Sequence, residues 1–141
     1  MRRLICLGCV SGLVLGALVA PEARAEKKVI KLTKTWTGSR DDRNLQKGAP
    51  QVITNAKAFA KLWKAWKIEG KVPKVDFKKE LVILATTVGS RLNLSAQLDD
   101  KGNLTTLGFG TRDLRPGFRY VMGTVPRKGV KTVNGKALPK E

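Results

Sequence analysis

The sequence predicts an α+β fold: a single small domain in which a mostly antiparallel β-sheet of about five or six strands carries one amphipathic helix packed across it. Three observations lead there. Leu81-Val82-Ile83-Leu84-Ala85 is an unbroken, branched apolar run of strand length, the pattern of a strand buried on both faces. The segments after it are shorter, more polar and interrupted by glycine, as in strands laid side by side and joined by short turns. Before it, residues 56–68 form the one stretch with helical periodicity.

At the N-terminus, Met1-Arg2-Arg3 is a positive n-region, Leu4 to Ala20 an apolar h-region, and Ala23-Arg24-Ala25 a small-x-small cleavage pattern. Residues 1–25 therefore read as a cleavable signal peptide, which places residues 26–141 as one exported domain in the periplasm, cell envelope or extracellular space. A membrane anchor is the competing reading. The run is short for a span of ~20 residues, however, and is followed by a cleavage motif rather than a stop-transfer pattern. Cys9 lies too early in the h-region, and without the usual small and aliphatic residues before it, to be a lipoprotein cysteine. No stable membrane span is expected after cleavage.

Inventory excludes much chemistry. The 141 residues contain no histidine and two cysteines, and both of these, Cys6 and Cys9, belong to the leader. The exported part then has neither thiol nor imidazole. That removes disulfides, cysteine and histidine metal sites, cysteine nucleophiles and serine-histidine triads. No cofactor or metal is expected, and a domain without disulfides must be held by its core.

Charge is the second bound. Twenty-eight basic against eleven acidic residues give +17; losing Arg2, Arg3, Arg24 and Glu22 with the leader brings this to +15. Such a surplus draws polyanions at long range, whether nucleic acid, acidic envelope polymer, anionic lipid or an acidic protein.

Along the exported part, Ile30, Leu32, Lys34 and Trp36 alternate over Glu26 to Gly38, which predicts a first strand with one buried face. Trp36 is read as a packing residue. Gly38 to Pro50 is a polar loop, and Asp41 and Asp42 inside it are solvated turn residues rather than a catalytic acid pair. After a short strand from Gln51 to Thr54, Asn55 or Thr54 caps a helix from Ala56 to Ile68. Phe59, Leu62, Trp63 and Trp66 form its apolar face, and Gly70 suits its stop. Lys57, Lys61 and Lys64 repeat ~200° away from Phe59 as a basic stripe. The bland account is the wet face of an amphipathic helix; the functional one is a polyanion contact.

Leu62-Trp63, the lead-in Pro73-Lys74-Val75-Asp76-Phe77, the strand Leu81 to Ala85, and then Gly89 follow one another in an order that resembles a known family. Across residues 51–138, from about Val52 to Leu138, the chain is similar to the C-terminal domain of the PrcB-type protease-complex-subunit family. The resemblance implies an exported, non-enzymatic accessory protein that binds a secreted protease. One departure stands out. Where that family carries a proline-threonine-glycine-glycine-tyrosine loop after the central strand, this chain has Ser90-Arg91-Leu92-Asn93-Leu94. In purely physical terms, Pro73 keeps its neighbour extended and Asp76 accepts backbone N–H groups at a turn that aims Phe77 inward.

Leu92, Leu94, Ala96 and Leu98 then alternate with polar residues as a half-buried strand. Asp99 to Asn103 joins it to Leu104 to Phe109 as a hairpin and lacks the spacing of a calcium loop. Gly108 and Gly110 imply a bulge or a close backbone approach. Gly110 to Gly117 gathers Arg112, Asp113 and Arg115, with Arg119 just beyond, at a Pro-Gly turn. Arginine forks suit carboxylates and phosphates, so Arg91, Arg112, Arg115 and Arg119 join the three lysines as candidate binding residues. The simpler account is that Asp113 pairs with an arginine to order the loop. Phe118 to Val125 is a further strand, and Asn134-Gly135 marks a last hairpin.

The expected core is Phe59, Leu62, Trp63, Trp66, Leu81, Ile83, Leu92, Leu94, Leu107, Phe118 and Tyr120. The leading expectation for function is an exported protein-binding module with a protein partner of the secreted-protease kind. The alternative is an electrostatic polyanion binder. An enzyme built on carboxylates or a serine-lysine pair around Ser90 or Ser95 has no nucleophile motif behind it.

Overall fold

Two long antiparallel strands, β4 (Glu80–Thr87) and β7 (Phe118–Pro126), form the centre of the domain, with Leu81 opposite Val125 and Leu84 opposite Met122. The structure, a computed structural model, describes residues 26–139; the segment 1–25, read from the sequence as a signal peptide, and the last two residues of the tail lie outside the described residues. Leu81, Val82, Ile83 and Leu84 are all buried, as an unbroken apolar run demands. Because side chains alternate along a strand, Val82 and Leu84 enter one apolar cluster, and Leu81 and Ile83 enter another.

Each face needs its own cover. Helix α1 (Ala56–Ala65) supplies the first, setting Phe59, Leu62 and Trp63, with the capping Trp66, against Val82, Leu84, Phe118, Tyr120 and Met122. Ten helical residues span only ~15 Å, enough for one face. A second sheet covers the other. The domain is accordingly α+β, but its described residues form nine strands in two sheets where the sequence predicted five or six in one. The first sheet is ordered β2 (Thr35–Arg40), β7, β4, β3 (Val52–Ile53). The second is ordered β1 (Lys28–Ile30), β5 (Leu92–Leu98), β6 (Asn103–Gly110), β8 (Thr132–Val133), β9 (Lys136–Ala137). All pairings are antiparallel except that of β6 with β8.

Gly108 lets the sheets approach: a Cβ built there would sit 2.9 Å from that of Ala85 on β4. Close approach, rather than a bulge, is therefore what the β6 glycines serve, since β5 and β6 stay in unbroken register from Leu92–Gly110 to Leu98–Leu104.

Three further expectations are corrected. The predicted first strand is two strands in different sheets, because the chain crosses between layers at residues 31–34 while period-2 alternation continues through the crossing. There the buried Thr124 hydroxyl accepts the Lys34 N–H at 3.0 Å, supplying a partner that the displaced ladder does not. The helix, capped by Asn55 Oδ1 on the Ala58 N–H at 2.7 Å, ends at Ala65 rather than Ile68. Its left-handed residue is Lys67 (φ 49°), and Ile68 N–H closes the turn on Trp63 O at 3.0 Å. Leu92, Leu94 and Leu107 are only half-buried: Leu107 faces outward from the second sheet, Leu94 packs against the margin of the second apolar cluster, and Leu92 borders the open side of the stack. Ile53, Val82, Leu84, Ala96, Leu104, Val121, Met122, Val125 and Val133 complete the core instead.

Several turn assignments match. Asp76 Oδ1 accepts from Lys78 N–H, and Phe77 packs its ring 6.1 Å from Phe59. Asp99 Oδ1 closes the β5–β6 hairpin by accepting from Lys101 and Asn103 N–H. Asn134 (φ 50°) and Gly135 (φ 76°) both take the positive φ of the predicted tight hairpin. Among the described residues, no helix is long and apolar enough to cross a membrane.

Candidate functional site

The open side of the two-sheet stack carries a cleft of about 450 Å³, lined by Thr37, Gly38 and Ser39 of β2, residues 90–93 leading into β5, and Arg119, Tyr120 and Val121 of β7. Its origin is topological. The chain leaves β1 at Ile30, opposite Ala96, and crosses to the other sheet to begin β2 at Thr35. That crossing closes one end of the open side. Beyond it, among the described residues, no strand pairs with the first half of β5 on the edge away from β6.

The hydrogen-bond pattern decides what the edge offers. Thr111 N–H donates to Arg91 O at 3.1 Å and Asp99 N–H to Asn103 O at 3.2 Å, so the odd-numbered residues of β5 exchange their bonds with β6. The even-numbered residues direct N–H and C=O the other way. Ala96 and Leu98 meet Ile30 and Lys28 of β1 there. Leu94 and Leu92 have no strand neighbour on that edge among the described residues. On the opposite wall, Thr124 N–H donates to Lys34 O, which by the same alternation turns the backbone of Thr37 and Ser39 to an open edge as well.

Two of the sequence-predicted residues, Arg91 and Arg119, line this cleft. Arg119 Nη1 donates to Pro116 O at 3.2 Å, which holds one side of its guanidinium. The hydroxyl residues Thr37, Ser39 and Ser90 line the same space. The cleft thus offers two guanidinium groups, three hydroxyl groups and, among the described residues, strand backbone without a ladder partner on that edge, a set of donors that suits anionic groups.

Arg115 and Arg112 belong to the wall that closes the other end. Arg115 Nε donates to Asp113 Oδ2 at 2.9 Å, while Asp113 Oδ1 accepts from both Ser90 N–H and Ser90 Oγ at 3.0 Å. Hydrogen bonding to Thr111, then to the Ser90 N–H, the Arg115 guanidinium and the Ser90 hydroxyl, holds the Asp113 carboxyl well below the usual carboxylate range. The acid thus orders the loop, as the simpler account of it anticipated. Arg112 is exposed in the same loop.

The lysines lie elsewhere. Lys57, Lys61 and Lys64 are exposed on α1, across the four-stranded sheet from the cleft, so the structure separates them from the arginines.

Arg43 is not among the sequence-predicted site residues. From the 3-10 turn Arg43–Gln46 it donates Nη2 to Arg115 O at 2.7 Å and Nε to Gly117 O at 3.2 Å, clamping the loop from 72 residues away. No local signal marks such a residue, because its partners are backbone carbonyls supplied by the fold. Leu114 and Phe109 are large apolar side chains left 76% and 60% exposed, one in this loop and one near the end of the strand before it.

No family model matches the chain, and neither a curated protein nor a solved structure matches it.

Proposed function

We propose that this chain is an exported protein-binding module without enzymatic activity of its own, acting as an accessory or regulatory subunit of a secreted protease. The cleft carries the reading. It combines Arg91 and Arg119 with unpaired strand backbone, and its wall at Ser90 to Asn93 belongs to the segment, Ser90 to Leu94, standing where the resembled family carries its distinctive loop. Exposed Leu114 and Phe109 add apolar contact area nearby. Site chemistry points the same way. Ser90 Oγ is the best-placed hydroxyl, yet it donates to a carboxylate whose proton affinity is far too low for a general base near neutral pH.

Capture from the exported fraction of the source cells at low and high salt tests this. A discrete protein retained at high salt, with a protease in the retained band, is the expected result. Retention of nucleic acid or acidic polymer alone, lost as salt rises, overturns it in favour of electrostatic binding. Export is tested separately by the mass of the mature protein, which begins at Glu26 if the leader is cut after Ala25.

A further inference from the structure

We propose that the occupant of the cleft is an extended acidic segment that adds as a short strand to the open edge of β5, continuing the line that β1 abandons at Ile30. This inference rests on the protein-binding reading and names the partner's recognised chemistry.

The edge is prepared by the fold. β1 and β5 pair only from Ile30–Ala96 to Lys28–Leu98, so an added strand would lie in line with β1 and take up the N–H and C=O of Leu94 and Leu92. Exposed edges are ordinarily blunted by charge, proline or a covering element. From Leu92 to Ser95 this edge carries no charge and no proline. The cations sit instead at its end and across from it, at Arg91 and Arg119.

That placement selects the ligand. Main-chain bonds to a sheet edge give affinity without regard to sequence, and side-chain pockets supply the choice. A segment laid on β5 would place its side chains alternately into the cleft and away from it. Those turned inward meet Arg119, Thr37 and Ser39, which accommodate carboxylates and hydroxyls and disfavour lysine or arginine. The surplus of fifteen positive charges on the exported part works in the same direction by steering acidic segments to the surface. A duplex nucleic acid has no strand backbone with which to use this edge.

The test uses the protein produced from its full 141-residue sequence and labelled octapeptides of alternating threonine and glutamate. Controls are the threonine–glutamine analogue and two acidic versions N-methylated on one or the other alternate set of residues. The acidic peptide is expected to bind roughly tenfold more tightly than the neutral one, and at least one methylated version to lose roughly tenfold. Arg91→Ala and Arg119→Ala should each weaken the acidic peptide about tenfold. Arg119→Lys keeps the charge should the alanine variant fail to fold. Exchange of the Leu92 and Leu94 amides should slow by about tenfold or more in the complex, because free edge amides become ladder donors.

Undiminished binding of both methylated peptides, or unchanged exchange at Leu92 and Leu94, would show contact by charge alone and overturns the proposal. So does failure of every peptide to bind. If partner capture at high salt persists while these results are negative, the binding module stands and strand addition falls. If capture also fails, both fall.

Discussion

Ser90 and Asp113, 23 residues apart, are joined twice: the N–H and the hydroxyl of Ser90 both donate to Asp113 Oδ1 at 3.0 Å. With Arg115 on the other carboxylate oxygen, this ties the loop after β6 to the entrance of β5 and fixes one end of the cleft. Asp113→Ala should therefore loosen the loop without unfolding the domain. Amide exchange at Ser90, which donates to the lost carboxylate, should accelerate by about tenfold or more, with thermal unfolding little changed. Equal acceleration across β4 and β7 would contradict this local role.

The same carboxyl predicts a pH response. Its folded-state pKa is depressed, so its contribution to loop order is fully present above the unfolded value of ~3.9 and is lost as pH falls through the lower folded value. Carbon-detected titration should show Asp113 still ionised at about pH 3, where an ordinary aspartate is mostly protonated. A midpoint near that of a free aspartate would refute the hydrogen-bond network.

Lys67 holds a left-handed conformation (φ 49°) that glycine adopts without a Cβ penalty. Lys67→Gly should raise stability by about 0.5–1 kcal/mol, the relief of strain exceeding the added freedom of the unfolded chain. Urea unfolding of the two proteins at equal slope measures it.

Gly108 faces Ala85 across the sheets, 2.9 Å from a Cβ built on it. Gly108→Ala is expected to destabilise by about 1–3 kcal/mol. Ala85→Gly in the same chain should recover part of the loss, and a double-mutant cycle with no coupling would show that the sheets do not touch there.

Trp66 is 2% exposed, donates Nε1–H to Leu45 O at 2.9 Å, and sets its ring 5.1 Å from Phe118 and 5.2 Å from Tyr120. Trp66→Phe should cost about 2–3 kcal/mol, since it leaves the Leu45 carbonyl without its donor and shrinks the core. The denaturant midpoint should fall accordingly; an unchanged midpoint would place Trp66 outside the cooperative core.

The sequence by itself determined the elements whose cause is local. A run of branched apolar residues has no other stable home than a strand buried on both sides, and Leu81 to Leu84 are so buried. The spacing of Phe59, Leu62, Trp63 and Trp66, a cap at Asn55 or Thr54, of which the structure takes Asn55, and the Asn134-Gly135 turn likewise encode their own geometry, because the interactions they need lie within a few residues. Tertiary structure decided the rest. Period-2 alternation continues unbroken through Lys31 to Lys34 while the chain changes sheets, so nothing local announces the crossing. The cleft follows from that crossing. Arg91 and Arg119 were visible as arginines, but their place in one cleft, the open edge at Leu92 and Leu94, and the clamp from Arg43 depend on which strands are neighbours. Strand neighbours are chosen by covering both faces of β4 at once, a condition on the whole chain that no single segment can express.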